Sequence, residues 1–266
     1  MHPIITSAQN SKIKNILSLE KARERKLQNV FIIEGQKELS LAAEARYSFS
    51  SIFFCPEIVS AETVLQIVPH ENLLIPVQQA VFEKIAYRDS TGGIIALAEQ
   101  RKHTLSGIQL RKNPLLLILE SVEKPGNLGA MLRTADAAKV DAVVICDPQT
   151  DFYNPNVIRS SVGCIFTTPI ASATTEETLA WLKQNNIRVF ATHLQAAKPY
   201  HEIDYTSASA IVMGTESTGL SDIWVQRAEA SIIIPMQGKI DSMNVSTAAA
   251  VIIFEATRQR GFFSRS

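Results

Sequence analysis

The 266 residues allow one large or two modest domains, and with 46% hydrophobic residues the chain can bury a sizeable core. Lys plus Arg is 26 and Asp plus Glu is 26, so the totals point to no polyanion partner, and a nucleic-acid site must rest on where the charges sit. Cys55, Cys146 and Cys164 are scattered without a CxxC, the N-terminus lacks an apolar signal core, and no apolar run approaches a membrane span; these features exclude a disulfide frame and a zinc site and predict a soluble, cytoplasmic protein.

Residues 11–29 read as one helix, with Ile13, Ile16 and Leu17 on one face and Lys12, Lys14, Lys21, Arg23, Arg25 and Lys26 supplying charge. Its KARERK segment is locally basic, though Glu20 and Glu24 dilute it. A solvated face and an RNA-phosphate contact explain it equally well. Residues 31–35 form a short strand running into a helix over 36–46. Further β-rich runs at 51–54, 73–77 and 93–98, with a helix over 78–86, complete an α/β domain spanning 1–98. The polar, basic stretch 99–113 has no clean periodicity and reads as a linker.

From Pro114 the pattern changes to strand-helix alternation. The run 115–119 is continuously apolar, as expected of a strand covered on both faces. Gly126 and Gly129 open a helix over about 127–138, and 140–146 is the next strand, ended by Asp147-Pro148. The polar loop DFYNPNVIRSSVG leads to a strand near 164–168. Thr174 with Glu177 makes a capping box for a helix reaching Asn185. Strands follow at 187–191 and 210–213, then the loop GTESTGLS, a short helix from about Asp222 and a strand at Ile232, Ile233 and Ile234 that Pro235 ends. Gly238 permits a tight turn, and Ser246 is the candidate N-cap of a helix over 247–260, with Arg258 and Arg260 where cations suit the dipole. Because 248–254 is apolar all round, this helix is expected to be buried. The alternation predicts an α/β fold with a mostly parallel sheet and helices on both faces, over 114–266.

Known loop chemistries mostly fail here. Gly214 to Gly219 has the glycine spacing of a P-loop, but Leu220 stands where the lysine is required. Gly126-Asn-Leu-Gly129 is only GxxG, short of the dinucleotide fingerprint. The histidines His2, His70, His103, His193 and His201 lack metal-ligand spacing, and no serine sits in a GxSxG elbow. What remains is three polar loops at strand carboxyl ends, where open α/β sheets bind ligands. They carry Asn127 and Arg133, then Glu216, then Ser242 and Asn244. Singly, each has a plain reading: a helix cap, a surface arginine, a solvated acid and two turn formers.

As a set, these loops resemble the three motifs of the SpoU/TrmH-type RNA 2′-O-ribose methyltransferases of the SPOUT superfamily. The motifs are Asn127-Leu-Gly-Ala-Met-Leu-Arg133-Thr-Ala, Met213-Gly-Thr-Glu216-Ser-Thr-Gly219-Leu, and Ile234-Pro-Met-Gln-Gly238-Lys-Ile-Asp-Ser242-Met-Asn244-Val-Ser. The segment Asn154-Pro-Asn-Val-Ile-Arg159-Ser-Ser-Val-Gly163 resembles the family's intermediate segment. KARERK followed by Phe31-Ile-Ile-Glu34-Gly35, with Asp89-Ser-Thr-Gly-Gly-Ile, is similar to the family's N-terminal L30e-like substrate-binding domain. Met243 stands where the family usually has leucine, a change between apolar side chains of similar volume.

The resemblance implies a deep trefoil knot in the C-terminal domain, S-adenosylmethionine as cofactor, no metal, and a homodimer with the reaction centre near the subunit interface. It implies catalytic roles for Arg133, Asn127, Glu216, Ser242 and Asn244. Arg133 would stabilise charge on the ribose 2′-oxygen, and Glu216 would hold its guanidinium. Cofactor contacts fall on Gly214, Ile234 and Met243, with Met213, Pro235 and Gly219 beside them. Lys21, Arg23, Arg25 and Lys26 are the candidates for RNA-phosphate contacts, and Arg159 for contacts nearer the site. Ribosomal RNA is the expected substrate, with transfer RNA as the nearest competitor. A non-catalytic RNA-binding or ribosome-assembly protein is the alternative from another class, and the intact polar set argues against it.

Overall fold

The computed structural model describes residues 2–87, 92–195, 198–215 and 218–262. The chain forms two compact units, Met1–Lys102 with Asp151–Thr167, and His103–Thr150 with Thr168–Ser266.

The first unit opens with α1 (Ser11–Ser18) and α2 (Ala22–Gln28), where one continuous helix was expected. The break follows from Arg25. Its Nη1 donates to the carbonyls of Leu19 and Glu20, both at 2.7 Å, which occupies groups that the end of α1 leaves open. Next come β1 (Val30–Glu34), α3 (Gln36–Glu44), β2 (Phe49–Phe54), α4 (Ala61–Ile67), β3 (Leu74–Pro76), α5 (Gln79–Ile85) and β4 (Ile94–Glu99). The strands form one sheet in the order β1-β4-β2-β3, with β4 antiparallel to both neighbours and β3 parallel to β2. Ile13, Ile16 and Leu19 pack with Phe53, Ile75, Phe82 and Ile95 into its core.

The second unit begins with β5 (Leu115–Glu120), α6 (Pro125–Ala137) and β6 (Ala142–Cys146). Residues 151–167, which carry α7 (Pro155–Ser160), then belong to the first unit. The second unit resumes with β7 (Ile170–Ala173), α8 (Thr175–Gln184), β8 (Arg188–Thr192), β9 (Lys198–Pro199), β10 (Ser209–Met213), α9 (Asp222–Arg227), β11 (Ala230–Ile233) and α10 (Val245–Gln259). All its strand pairs are parallel, in the order β7-β6-β5-β10-β8-β11-β9.

Leu116, Ile118, Val144, Ala191 and Val212 pack under Leu182 of α8 and Trp224 of α9. The alternate residues Leu117, Leu119, Val143, Ile145 and Ile211 are equally buried, because α6 and α10 cover the second face. Burial on both faces is the physical reason these strands read as unbroken apolar runs.

Residues 151–167 pack with the first unit, where Tyr153 stacks on Phe31 at 4.2 Å between ring centroids and Phe166 meets Tyr47 edge-on at 5.1 Å. Two further expectations are corrected. Residues 161–167 form turns and not a strand; the strand starts at Ile170 beside β6. Finally, α10 is buried on only one side. Phe254 is 41% exposed, and Ala250 and Val251 are half-buried, so an apolar stripe stays open.

Candidate active site

The carboxyl ends of β8, β10 and β11 converge on a cavity of ≈ 610 Å³. That lies within the about 300–1,000 Å³ usual for small-molecule sites. β10 enters it through Met213 and Gly214. A Cβ built on Gly214 would lie 2.3 Å from the Gly219 carbonyl carbon and 2.5 Å from the Leu220 nitrogen, so only glycine fits there. Thr215 N donates to Gly219 O and Gly219 N to Thr215 O, both at 3.2 Å, closing the neck of the turn. Gly219 has φ +71°, which glycine adopts without strain.

The turn after β11 supplies the facing wall through Ile234, Asp241, Ser242, Met243 and Asn244. Ser242 Oγ donates to Asp241 Oδ1 at 3.1 Å. Asn244, and not Ser246, caps α10: its Oδ1 accepts from Ser246 N at 3.0 Å, while its own carbonyl accepts from Ala248 N at 3.0 Å. The other end of the same side chain donates from Nδ2 to Asn127 Oδ1 at 3.1 Å. Two loops 117 residues apart in sequence therefore meet through one amide pair. Asn127 itself lies in the first turn of α6, which Pro125 opens.

Of the residues singled out in the sequence, Met213, Gly214, Gly219, Ile234, Ser242, Met243 and Asn244 line the cavity. Asn127 lines a smaller cavity that shares Gly214, Thr215 and Val245 with it. Pro235 is exposed and lies outside the lining. Glu216 lies outside the described residues, as do Asp89, Ser90 and Thr91 of the N-terminal motif. Arg133 sits on α6 with its side chain exposed, touches neither cavity, and makes no hydrogen bond or ion pair among the described residues. Sequence reasoning missed Thr192, which ends β8, and His193 and Gln195, which follow it; all three line the cavity. The strand-end rule that singled out the other loops would have found them.

The basic candidates divide. Arg25 is 1% exposed, and its Nε and Nη2 donate to Asp151 at 2.8 and 2.6 Å. With Nη1 on two carbonyls, that guanidinium is committed to the fold and is withdrawn as a phosphate contact. Lys21, Arg23 and Lys26 are exposed in the same unit. Arg159 is exposed there as well, its guanidinium 5.3 Å from the Tyr87 ring centre. Burial pushes the Cys146 thiol up to about 12, so it is no nucleophile at neutral pH. Among the described residues no group of His, Cys, Asp or Glu is arranged to hold a metal, and no helix is long and apolar enough to cross a membrane.

The lining suits a methyl-sulfonium nucleoside. Met243, Ala248 and Ile252 offer an apolar wall for a flat ring, the backbone of the Gly214 turn approaches without side chains, and Asp241 places a carboxylate where a cation can bind.

A family model described as "SpoU rRNA Methylase family" matches residues 114–254, and one described as "MRM3-like substrate binding domain" matches residues 10–96. The chain is 29% identical over 253 residues to the 23S rRNA (guanosine(2553)-2'-O)-methyltransferase RlmP of Bacillus subtilis, covering 94% of this chain and 97% of that one. A solved RNA 2'-O ribose methyltransferase superposes with a TM-score of 0.86 at 37% identity, over 98% of this chain and 100% of the other. An AdoMet-bound rRNA methyltransferase from Sinorhizobium meliloti gives a TM-score of 0.88 at 30% identity, over 96% and 97% of the two chains.

Proposed function

The chain belongs to the SpoU rRNA methylase family, and from that premise we infer an S-adenosylmethionine-dependent enzyme that methylates a ribose 2′-hydroxyl in RNA. The relatives named above make large-subunit ribosomal RNA the substrate we propose. One observation carries the site assignment: the Asn127–Asn244 amide pair joins the first and third motifs beside the glycine turn of the second.

When bound, S-adenosylmethionine supplies a methyl group already activated by a sulfonium. The protein's task is then to align the 2′-oxygen and to favour its alkoxide-like form. A guanidinium is a cation and no base, so Arg133 serves to stabilise charge on that oxygen while the proton leaves to water or a phosphate. Asn127, held by Asn244, orients the ribose, and Ser242 completes the polar wall. Glu216 is the proposed bidentate partner of Arg133. Gly214, Gly219, Met213, Ile234 and Met243 hold the cofactor, with Pro235 behind them. Lys21, Arg23, Lys26 and Arg159 bind RNA phosphates, which predicts steep weakening of RNA binding with salt.

Arg133 is exposed and off the cavity of its own chain, and α10 leaves an apolar stripe open. Both features support a homodimer in which one copy's arginine serves the other's cavity. The same reading gives the second unit a trefoil knot, the first an L30e-like fold, and the whole protein a place in the cytoplasm.

Calorimetry with S-adenosylmethionine, followed by mapping of 2′-O-methyl groups on ribosomal and transfer RNA incubated with the protein, tests the function. No cofactor binding, or methylation confined to transfer RNA, would overturn the corresponding part. The shared site has its own test. Arg133→Ala and Gly214→Val chains, each inactive alone, should regain activity on mixing, and failure to do so with dimers present would place Arg133 in its own chain's site.

A further inference from the structure

Glu120 ends β5 and is 7% exposed, yet it takes no part in the chemistry above. Its carboxylate reaches across 101 residues of sequence to Ser221. Oε2 accepts from the Ser221 backbone N–H at 2.8 Å, and Oε1 from Ser221 Oγ at 2.5 Å. Thr175 Oγ1 lies 3.4 Å from Oε1 and donates to Asp147 Oδ2 at 2.7 Å. The hydrogen-bond donors around Glu120 are thus all neutral, with a second carboxylate one hydroxyl away. Hydrogen bonds to Ser221 offset the burial of this carboxyl group, and they also join the end of β5 to the start of α9.

What they hold is the far end of the glycine turn. The near end is fixed by the sheet, where Met213 of β10 lies opposite Leu119 of β5. Glu120 is the next residue along β5, and it grips Ser221, two residues beyond Gly219. The turn's two ends are therefore tied to successive residues of one strand. The span between those ties sets how closely Gly219 lies against Gly214, and both line the cavity.

We propose that Glu120, through Ser221, is a positioning residue for the cofactor: it holds Gly219 against Gly214 at the distance that a nucleoside in the cavity requires. The proposal rests on the reading of this cavity as the S-adenosylmethionine site. A residue that merely braces the sheet would change stability without changing cofactor affinity at temperatures where the protein is fully folded.

The test uses the full chain with S-adenosylmethionine, measuring Kd by calorimetry, KM and kcat on RNA, and thermal unfolding. Glu120→Ala should weaken the cofactor about ten-fold, the worth of one charge-assisted hydrogen bond. Glu120→Gln keeps the length and one acceptor oxygen and should fall between wild type and Glu120→Ala. Ser221→Ala, which loses only the hydroxyl contact, should weaken binding about three-fold and remains usable if the Glu120 variants do not fold. In each case the cofactor KM should rise, while kcat at saturating cofactor and the RNA KM stay near wild type. Folded Ser221→Ala and Glu120→Gln proteins with wild-type cofactor affinity would overturn the proposal. A wild-type protein that fails to bind S-adenosylmethionine would instead overturn the cavity's assignment.

Discussion

The two edges of the parallel sheet in the second unit treat their polar groups in opposite ways. At the amino edge, Asp141 stands just before β6 with a side chain 1% exposed. It accepts from Arg111 Nε and Nη2 at 2.7 and 2.8 Å and from the backbone N–H groups of Leu115 and Arg111 at 2.8 and 3.1 Å. Arg260 donates there to the carbonyls of Asn113, Tyr205 and Ser207 at 2.6, 2.8 and 2.6 Å. At the carboxyl edge, Asp241, Ser242 and Asn244 stand exposed around a cavity, and the backbone is left open by glycine. Charged groups at the first edge satisfy the protein's own strand ends; at the second, the polar groups around the cavity face outward, while Glu120 and Asp147 stay bonded to Ser221 and Thr175. The contrast separates residues that hold the fold from residues available to a ligand.

If that separation holds, changes at the two edges should fail different assays. The largest effect is expected for Arg133→Ala, on the helix that leaves the carboxyl edge. Turnover should fall by about 10²–10³, the usual loss for one donor to a developing oxyanion. Cofactor affinity should stay unchanged and the melting temperature should fall only slightly, since the exposed side chain loses at most its proposed pair with Glu216. Unaltered turnover on a verified RNA would remove Arg133 from the mechanism.

Asp141→Ala should do the reverse. Leaving two backbone donors and the half-exposed Arg111 without their buried acceptor should cost roughly 2–3 kcal/mol of stability, read from denaturant midpoints, with cofactor affinity intact. Its pH dependence has a definite sign. Burial pushes the Asp141 carboxyl up, but the Arg111 bonds and the Leu115 and Arg111 amides outweigh it and hold the group below its ordinary value. A depressed carboxylate contributes fully above its unfolded pKa and loses that contribution as the pH falls through its folded one. The stability gap between wild type and Asp141→Asn should therefore be widest at neutral pH and close below about pH 4. A gap that widens in acid would reverse this assignment.

The strands themselves were largely legible in the sequence, whereas the Asp141 and Arg260 contacts at the amino edge were not. Strands buried on both faces must be continuously apolar, so 115–119 could hardly be anything else. The capping box was equally local: Thr174 Oγ1 accepts from Glu177 N at 3.1 Å, and Glu177 returns the contact to Thr174 N at 2.9 Å. What could not be read was anything set by long separation. Arg25 looked like a surface cation because its partner Asp151 is 126 residues away, and Tyr153 gave no sign of stacking on Phe31. Both contacts draw residues 151–167 into the first unit and leave no periodicity to find. In the cavity, motif spacing led to the turns after β10 and β11. The β8 turn was missed because Thr192, His193 and Gln195 carry no motif.

Asn244→Ala probes the residue that does not respect the division, since it caps α10 and also meets Asn127. Losing the cap should cost about 1 kcal/mol. Turnover should fall as well, because Asn127 loses its Nδ2 partner. Asn244→Ser restores a cap acceptor without reaching Asn127, so it should recover the stability and not the turnover. Recovery of both would make the amide pair irrelevant to catalysis.

The smallest effect belongs to Arg188→Ala, and it sharpens what the amino edge means. Arg188 pairs with Glu229 through Nε and Nη2 at 2.8 and 2.6 Å, a bidentate geometry as good as that of Arg111 with Asp141. The side chains, however, are 31% and 50% exposed, so water competes for both charges. Exposed pairs are worth about 0.2–1 kcal/mol, and the loss should sit in that range and shrink with added salt. Each loss includes other bonds, since Asp141 also accepts from two backbone amides and Arg188 Nη1 also donates to Asp204 O and Ser207 Oγ, so the two ion pairs are compared by double-mutant cycles. Equal coupling energies would mean that bond geometry, and not exclusion of water, sets the strength of this edge.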